Sequence, residues 1–250
     1  MTSDRQQPLS CIGRLAGFLT TLVLLLASPL ASAEQTTDLV PFKANYTATM
    51  EKGIELSGTG TRSLTDQGNG VWLYRTDVKS FIANIDESLV LKWENGRVIP
   101  LRYRYRLSGL FIKDRKKAID FDWSAGTASG EYKGKSFELP LKEGTLDPLG
   151  YQLQLRQDIK AGLRDMTYEV IDGDEYDTTH FAILEKEPET ASSDLLRGTL
   201  KAEKVRKEGS KRQTLMWFDP DREFILVRLL QIEPDGKRYE LHLDDAKVEG

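Results

Sequence analysis

Leu101-Arg102-Tyr103-Arg104-Tyr105-Arg106-Leu107 alternates without a break. Leu101, Tyr103, Tyr105 and Leu107 fall on one side, and Arg102, Arg104 and Arg106 on the other. That is the period of a strand with one face packed and one face wet; a helix would scatter the same residues around its circumference. The pattern recurs on both sides of this stretch. Trp72, Tyr74, Thr76 and Val78 alternate with Leu73, Arg75 and Asp77. Leu89, Leu91 and Trp93 alternate with Val90 and Lys92, and Tyr239, Leu241 and Leu243 with Glu240 and His242.

Turn chemistry falls between these runs. Asn95-Gly96 and Asp235-Gly236 suit hairpins, because Asn, Asp and Gly tolerate the positive φ that such turns need. Ala125-Gly126, Lys133-Gly134 and Asp172-Gly173 are weaker signals of the same kind. Ten or more strands, mostly antiparallel neighbours, are expected. Residues 222–232 are apolar on both faces, the mark of a strand covered on both sides. One helix interrupts the pattern: Asp147 is a good N-cap, Pro148 fits the first position and Gly162 can end it. Leu149, Leu153, Leu155, Ile159 and Leu163 form its apolar stripe, and Gln152, Gln154, Gln157 and Lys160 are expected to face water. The fold class is therefore mainly β: a curved antiparallel sheet, half-barrel or open barrel, with one principal α-helix at about 147–162.

The first residues read differently. Arg5 and Arg14 precede an apolar run, residues 15–26, then Pro29 and the small residues Ala31 and Ala33. This is the plan of a cleavable export signal over residues 1–33, with the cut before Glu34. The run is about a dozen residues, short of the roughly 20 that span a bilayer, although an uncleaved anchor is the alternative. Cys11 precedes the apolar run, so a lipidated cysteine after cleavage is not expected. Removing the signal leaves a flexible lead, residues 34–40, and a single β-rich domain, residues 41–250, without cysteine and without a transmembrane segment. A formal net charge of −4, spread along the chain, argues against nucleic acid as a partner.

No nucleophile elbow, zinc motif or phosphate loop is present, and no cofactor is expected. His180 and His242 lack a partner at metal-ligand spacing. Ser57-Gly58-Thr59-Gly60 lacks the third glycine of a phosphate loop and lies in a β region, where close backbone contact explains it. Asp120 with Asp122, Asp219 with Asp221, and Asp172, Asp174, Glu175 and Asp177 could in principle hold acid–base chemistry or calcium. Turns and solvated loops account for them as well.

Two groups of residues are candidates for binding. Arg102, Arg104 and Arg106, followed by Lys113, Arg115, Lys116 and Lys117, could engage phosphate or carboxylate groups, unless cross-strand acids such as Asp120, Asp122 or Glu87 pair with them. Trp72, Tyr74, Trp93, Tyr103, Tyr105 and Trp123, with Phe81, Phe121 and Trp217, could line an apolar groove or simply pack a core.

Four segments carry a family resemblance: residues 41–48 (PFKANYTA), 101–105 (LRYRY), 147–156 (DPLGYQLQLR) and 214–222 (TLMWFDPDR). From Val40 to the C-terminus the chain resembles the exported bacterial domain-of-unknown-function 3108 family. The resemblance implies a β-rich fold in a Gram-negative periplasm and brings no catalytic residues. The expected function is non-enzymatic binding of an apolar or amphipathic envelope component: lipid, glycolipid, lipoprotein or outer-membrane client. A protein-interaction module of a secretion or cell-wall assembly is the alternative, and a carboxylate-dependent hydrolase a further one.

Overall fold

The computed structural model describes residues 38–51, 55–110, 112–186 and 193–249. The expected signal, with Ala31, Ala33 and Glu34, lies outside the described residues. Of the lead only residues 38–40 are described, and Leu39 is buried.

Among the described residues, fourteen strands form one continuous antiparallel sheet. Its first half comprises β1 (Phe42–Glu51), β2 (Glu55–Gly68), β3 (Val71–Ser80), β4 (Ala83–Glu94), β5 (Arg97–Gly109), β6 (Arg115–Asp122), β7 (Thr127–Tyr132) and β8 (Lys135–Pro140). The helix α1 (Gly150–Lys160) follows. The second half comprises β9 (Asp165–Ile171), β10 (Tyr176–Lys186), β11 (Leu200–Lys204), β12 (Gln213–Asp219), β13 (Ile225–Ile232) and β14 (Arg238–Val248). Within each half, neighbours in sequence are neighbours in space. The halves join where β1 pairs with β14, from Phe42 opposite Val248 to Glu51 opposite Arg238. Beyond that ladder, the Glu249 amide donates to the Pro41 carbonyl at 2.9 Å.

The two edge strands, β8 and β9, are not paired with each other. The segment after β8 covers β9 instead. Leu146 forms an isolated parallel bridge to Val170: its amide donates to Glu169 O and its carbonyl accepts from Ile171 N. Lys117 pairs with Asp172 and Lys142 with Glu169, while Tyr176 Oη donates to Pro140 O at 2.7 Å. The sheet thus curls until its edges meet through side chains and one strap, without a closed ladder. An edge covered in this way is protected from pairing with another chain.

Asn95-Gly96 and Lys133-Gly134 have positive φ at both positions, as does Asn69-Gly70, which joins β2 to β3, whereas at Asp235-Gly236 only the glycine does. At Gly58 on β2 a Cβ would lie 2.3 Å from the Lys79 carbonyl oxygen, so the glycine lets two backbones approach. Three expectations are corrected. The strand expected over 222–232 starts only at Ile225: Pro220–Arg222 is a 3₁₀ turn, and Glu223 and Phe224 both have positive φ. Leu163 lies beyond the helix and is exposed, because Gly162 ends it with Leu163 N bonded back to Asp158 O. Gln154 and Gln157 do not face water; both are buried.

That last correction reveals where the helix sits. Asp147 Oδ1 accepts from the Leu149 and Gly150 amides, and Tyr151 N donates to Asp147 O, so Asp147 caps the helix as its sequence suggests. From Gly150 to Ile159 nearly every position is buried, polar ones included. A helix wrapped on all sides is a plug inside the curled sheet, and its polar residues must then find partners within it. Gln154 accepts from Val98 N at 2.8 Å and donates to Gly96 O and Asp158 Oδ1, tying the helix to the β4–β5 hairpin. Tyr168 Oη donates to the other oxygen of Asp158.

Candidate functional site

Because α1 lies on one face of a sheet whose edges meet, that face is the inner one. Cross-strand register divides it into rungs. Phe42, Leu64, Tyr74, Leu89, Tyr103 and Ile119 are aligned across β1 to β6 and fully packed beneath the helix. The next rung is polar: Arg62, Thr76, Glu87, Tyr105, Lys117 and Tyr132 stand side by side across six strands. Beyond it the face becomes apolar again, with Tyr46, Gly60, Val78, Ile85 and Leu107 in one row and Ala48 beside Leu241 and Gly58. Val78, Ile85, Leu107, Ala48 and Leu241 are only half-buried. They lie toward the sheet end formed by the β3–β4, β5–β6 and β13–β14 turns, away from the helix.

The polar rung is held by its own chemistry. Tyr103 Oη donates to Glu87 Oε1 at 2.6 Å. Burial pushes the Glu87 carboxyl above the usual carboxylate range, and burial beside Glu87 pushes the Tyr103 phenol well above its usual value. Tyr105 is also raised, by burial and then by Glu87. Lys117 lies 5.7 Å from the Tyr105 ring centre and 5.5 Å from that of Tyr132, while its ammonium pairs with Asp172. Asp147, above this rung, has its carboxyl pushed up to about 7 by burial.

The opposite wall of the same open end is cationic. Phe181 stacks on Tyr151 of the helix at 5.7 Å, so β10 presents Phe181, Thr179 and Asp177 inward. Around Asp177 a cleft of about 340 Å³ is lined by Lys204, Arg206, Lys207 and Arg212, with Thr214 at its base. Lys204 donates to Thr179 and lies 3.9 Å from Asp177; burial lowers its ammonium pKa. Lys207 pairs with Asp177, and Arg212 with Glu233 at 2.9 Å.

The structure distributes the sequence candidates over two faces. Tyr74 and Tyr103 are buried in the packed rung, and Trp72, Trp93, Tyr105 and Trp123 are partly buried against the same core. Trp123 Nε1 donates to Pro100 O at 2.7 Å. Arg102, Arg104 and Arg106 lie on the outer face, where Asp120 takes Arg104 at 2.9 Å and Arg102 at 3.9 Å, and Asp114 takes Arg106 at 3.4 Å. Asp122 instead accepts from the Ser124 hydroxyl and the Ala125 amide, which hold its carboxyl below the usual range. Asp219 accepts from the Asp221 amide and from Arg222, as the turn suggests. His180 lies 3.0 Å from Asp165, and His242 lies 2.9 Å from Glu240. No cluster of three metal-ligating side chains occurs among the described residues.

Sequence reasoning did not single out Arg62 or Arg156. Each had a signal. Arg62 occupies an inward position between Leu64 and Gly60, and Arg156 lies three residues after Leu153 on the apolar stripe. A charge inside an apolar stripe is the anomaly to follow.

A family model described as "Protein of unknown function (DUF3108)" matches residues 43–244. The chain belongs to the DUF3108 family. No curated protein matches this DUF3108 chain. Among solved structures it is similar to a β-barrel-like protein of the domain-of-unknown-function 1849 type from Brucella abortus. That match covers 85% of this chain and 99% of the other, with a TM-score of 0.53 and 12% identity, which establishes a common fold and nothing further. No described helix is long and apolar enough to cross a membrane.

Proposed function

We propose that this DUF3108 chain is a non-enzymatic periplasmic protein that binds an amphipathic component of the cell envelope inside the open end of its curled sheet. What carries the reading is the change of character along the inner face. Where the helix fills the interior, side chains are packed to exclusion; past the polar rung the face stays apolar but half-exposed, opposite a cationic cleft. An acyl chain suits the Val78, Ile85, Leu107 and Ala48 wall, and an anionic head suits Lys204, Arg206, Lys207 and Arg212.

The test is native mass spectrometry on protein purified from its host's envelope without detergent. Added mass removed by organic extraction supports the proposal and identifies the cargo. A bare protein mass overturns it.

A second reading, a protein-interaction module, draws on a different observation. Phe81 is 85% exposed and Leu110 51%, on adjoining turns next to the paired Ala83 and Gly109. Two large apolar side chains on one rim suit a partner surface. Photo-crosslinking from position 81 in cells separates the readings: one dominant protein adduct favours the module, and its absence favours the carrier.

A further inference from the structure

Among the described residues, the guanidinium groups of Arg62 and Arg156 are buried in the interior without an ion pair. Arg62 is 3% exposed and Arg156 4%. Arg62 donates through Nη2 to Gln152 Oε1 at 2.9 Å and sits over the Tyr74 ring; Arg156 donates through Nε to Glu223 O at 2.9 Å and sits over Phe42. Each retains a buried nitrogen with no acceptor: Nε of Arg62 and Nη1 of Arg156. Both residues line one cavity of about 10 Å³, walled otherwise by Tyr46, Met216, Phe218 and Leu226 among others.

The groups around the cavity are short of an acceptor. Tyr46 Oη donates to Leu226 O, and the Gln152 amide group donates to Pro148 O. The acids nearest in the electrostatic environment are engaged elsewhere: Glu223 with Lys160, and Glu87 with Tyr103. Those 10 Å³ are the room open to the centre of a water-sized sphere, so the void itself is larger and seats one small species, a water or a monatomic ion. A water would accept hydrogen bonds yet bring no charge, and the two acids that act on the pair, Glu223 and Glu87, are each shared with another partner. A monatomic anion meets the need for an acceptor and the need for charge. Guanidinium is weakly hydrated, which favours a partner that is itself readily stripped of water.

We infer that Arg62 and Arg156 hold a single halide-sized anion, chloride in the cell, between the helix and the sheet. The site lies beneath the helix at the polar rung and does not depend on any cargo in the open end. It makes chloride a structural component that locks α1 to β2 and to the turn at Glu223.

The test uses bromide as the probe. Crystals grown with sodium bromide in place of chloride are measured at the bromine absorption edge, and the melting temperature is followed in chloride against gluconate at constant ionic strength. The expected results are an anomalous peak between Arg62 and Arg156 and a saturable rise in Tm of about 5 °C with chloride. An Arg62→Met, Arg156→Met double variant loses that rise; should it fail to fold, the wild-type pair of measurements still decides. No peak in the cavity overturns the proposal, whatever the salt does to Tm. A peak without a chloride-specific shift overturns it too, as binding at crystal concentration only.

Discussion

At the scale of single residues, Asp147 and Gly150 form a coupled pair. A Cβ at Gly150 would stand 2.7 Å from Asp147 Oδ2 and 3.3 Å from Leu89 Cδ2. Alanine is the better helix former by about 1 kcal/mol, so propensity alone favours Gly150→Ala. Sterics in a closed site decide against it, and the substitution is expected to destabilise by about 1–3 kcal/mol in urea denaturation. Asp147 also has a pH signature. Its folded pKa of about 7 is above the ordinary carboxylate value, so the folded state holds its proton where the unfolded chain has lost it. Its contribution therefore turns unfavourable as pH rises from about 4 to 7 and levels off above that. Asp147→Asn keeps the oxygen that caps Leu149 and Gly150 and removes this slope. Stability of the two proteins measured from pH 4 to 8 should diverge upward in favour of the variant.

At the scale of elements, Gln154 is the bolt between helix and sheet. It satisfies the Val98 amide and the Gly96 carbonyl at the same hairpin. Gln154→Ala leaves both buried or half-buried groups unpaired and is expected to cost about 2 kcal/mol. Hydrogen exchange at the Val98 amide should rise well before exchange in the paired centre of β4 does. How far the elements were legible in sequence follows the same logic. Strand 71–80 declared itself because one face is wet and the alternation survives; 97–109 did so from Tyr103 onward, although the register skips Leu101 between Pro100 and Arg102 and breaks the alternation there. The Asn95-Gly96 turn declared itself through the positive φ that Asn and Gly tolerate, and Lys133-Gly134 more weakly through its glycine. The helix ends were legible from Asp147 and Gly162, but its burial was not. Amphipathicity assumes a solvent side, and Gln154, Arg156, Gln157 and Asp158 find their partners inside the sheet instead. Residues 222–224 failed for a related reason. Their composition continues a strand, yet Glu223 and Phe224 are held at positive φ by one contact distant in sequence, Arg156 Nε on Glu223 O, and one local turn bond, Phe224 N on Asp219 O. The aromatic candidates were recognised as a set, but only register separates the packed Tyr74 and Tyr103 from the open Val78 and Ile85 two rungs further on.

At the scale of the whole molecule, packing and openness are divided between two ends of one curled sheet. A charge placed in the open end should abolish cargo without unfolding the chain. Val78→Glu is expected to eliminate any extractable co-purifying mass while Tm stays within about 3 °C, since surface-accessible positions move stability little. Loss of both together would place Val78 in the core instead. Closure of the edges rests on the Leu146 strap and on exposed pairs such as Lys142 with Glu169, which contribute about 0–1 kcal/mol each. Leu146→Pro removes the amide that donates to Glu169 O and bares β9. Concentration-dependent self-association by analytical ultracentrifugation is the expected result.

The pairing of β1 with β14 has a consequence for the order of events during synthesis. Each half of the sheet grows strand by strand from local hairpins, but the seam between them joins residues about two hundred positions apart. The halves cannot unite until the last strand has emerged, however long the first has waited. The same seam brings Pro41 and Glu249 together, so joining them through a short linker and opening the chain near Gly144 would make the slowest contact a local one. Such a permutant should refold faster than the natural order in stopped-flow experiments, and equal rates would assign the rate-limiting step to another contact.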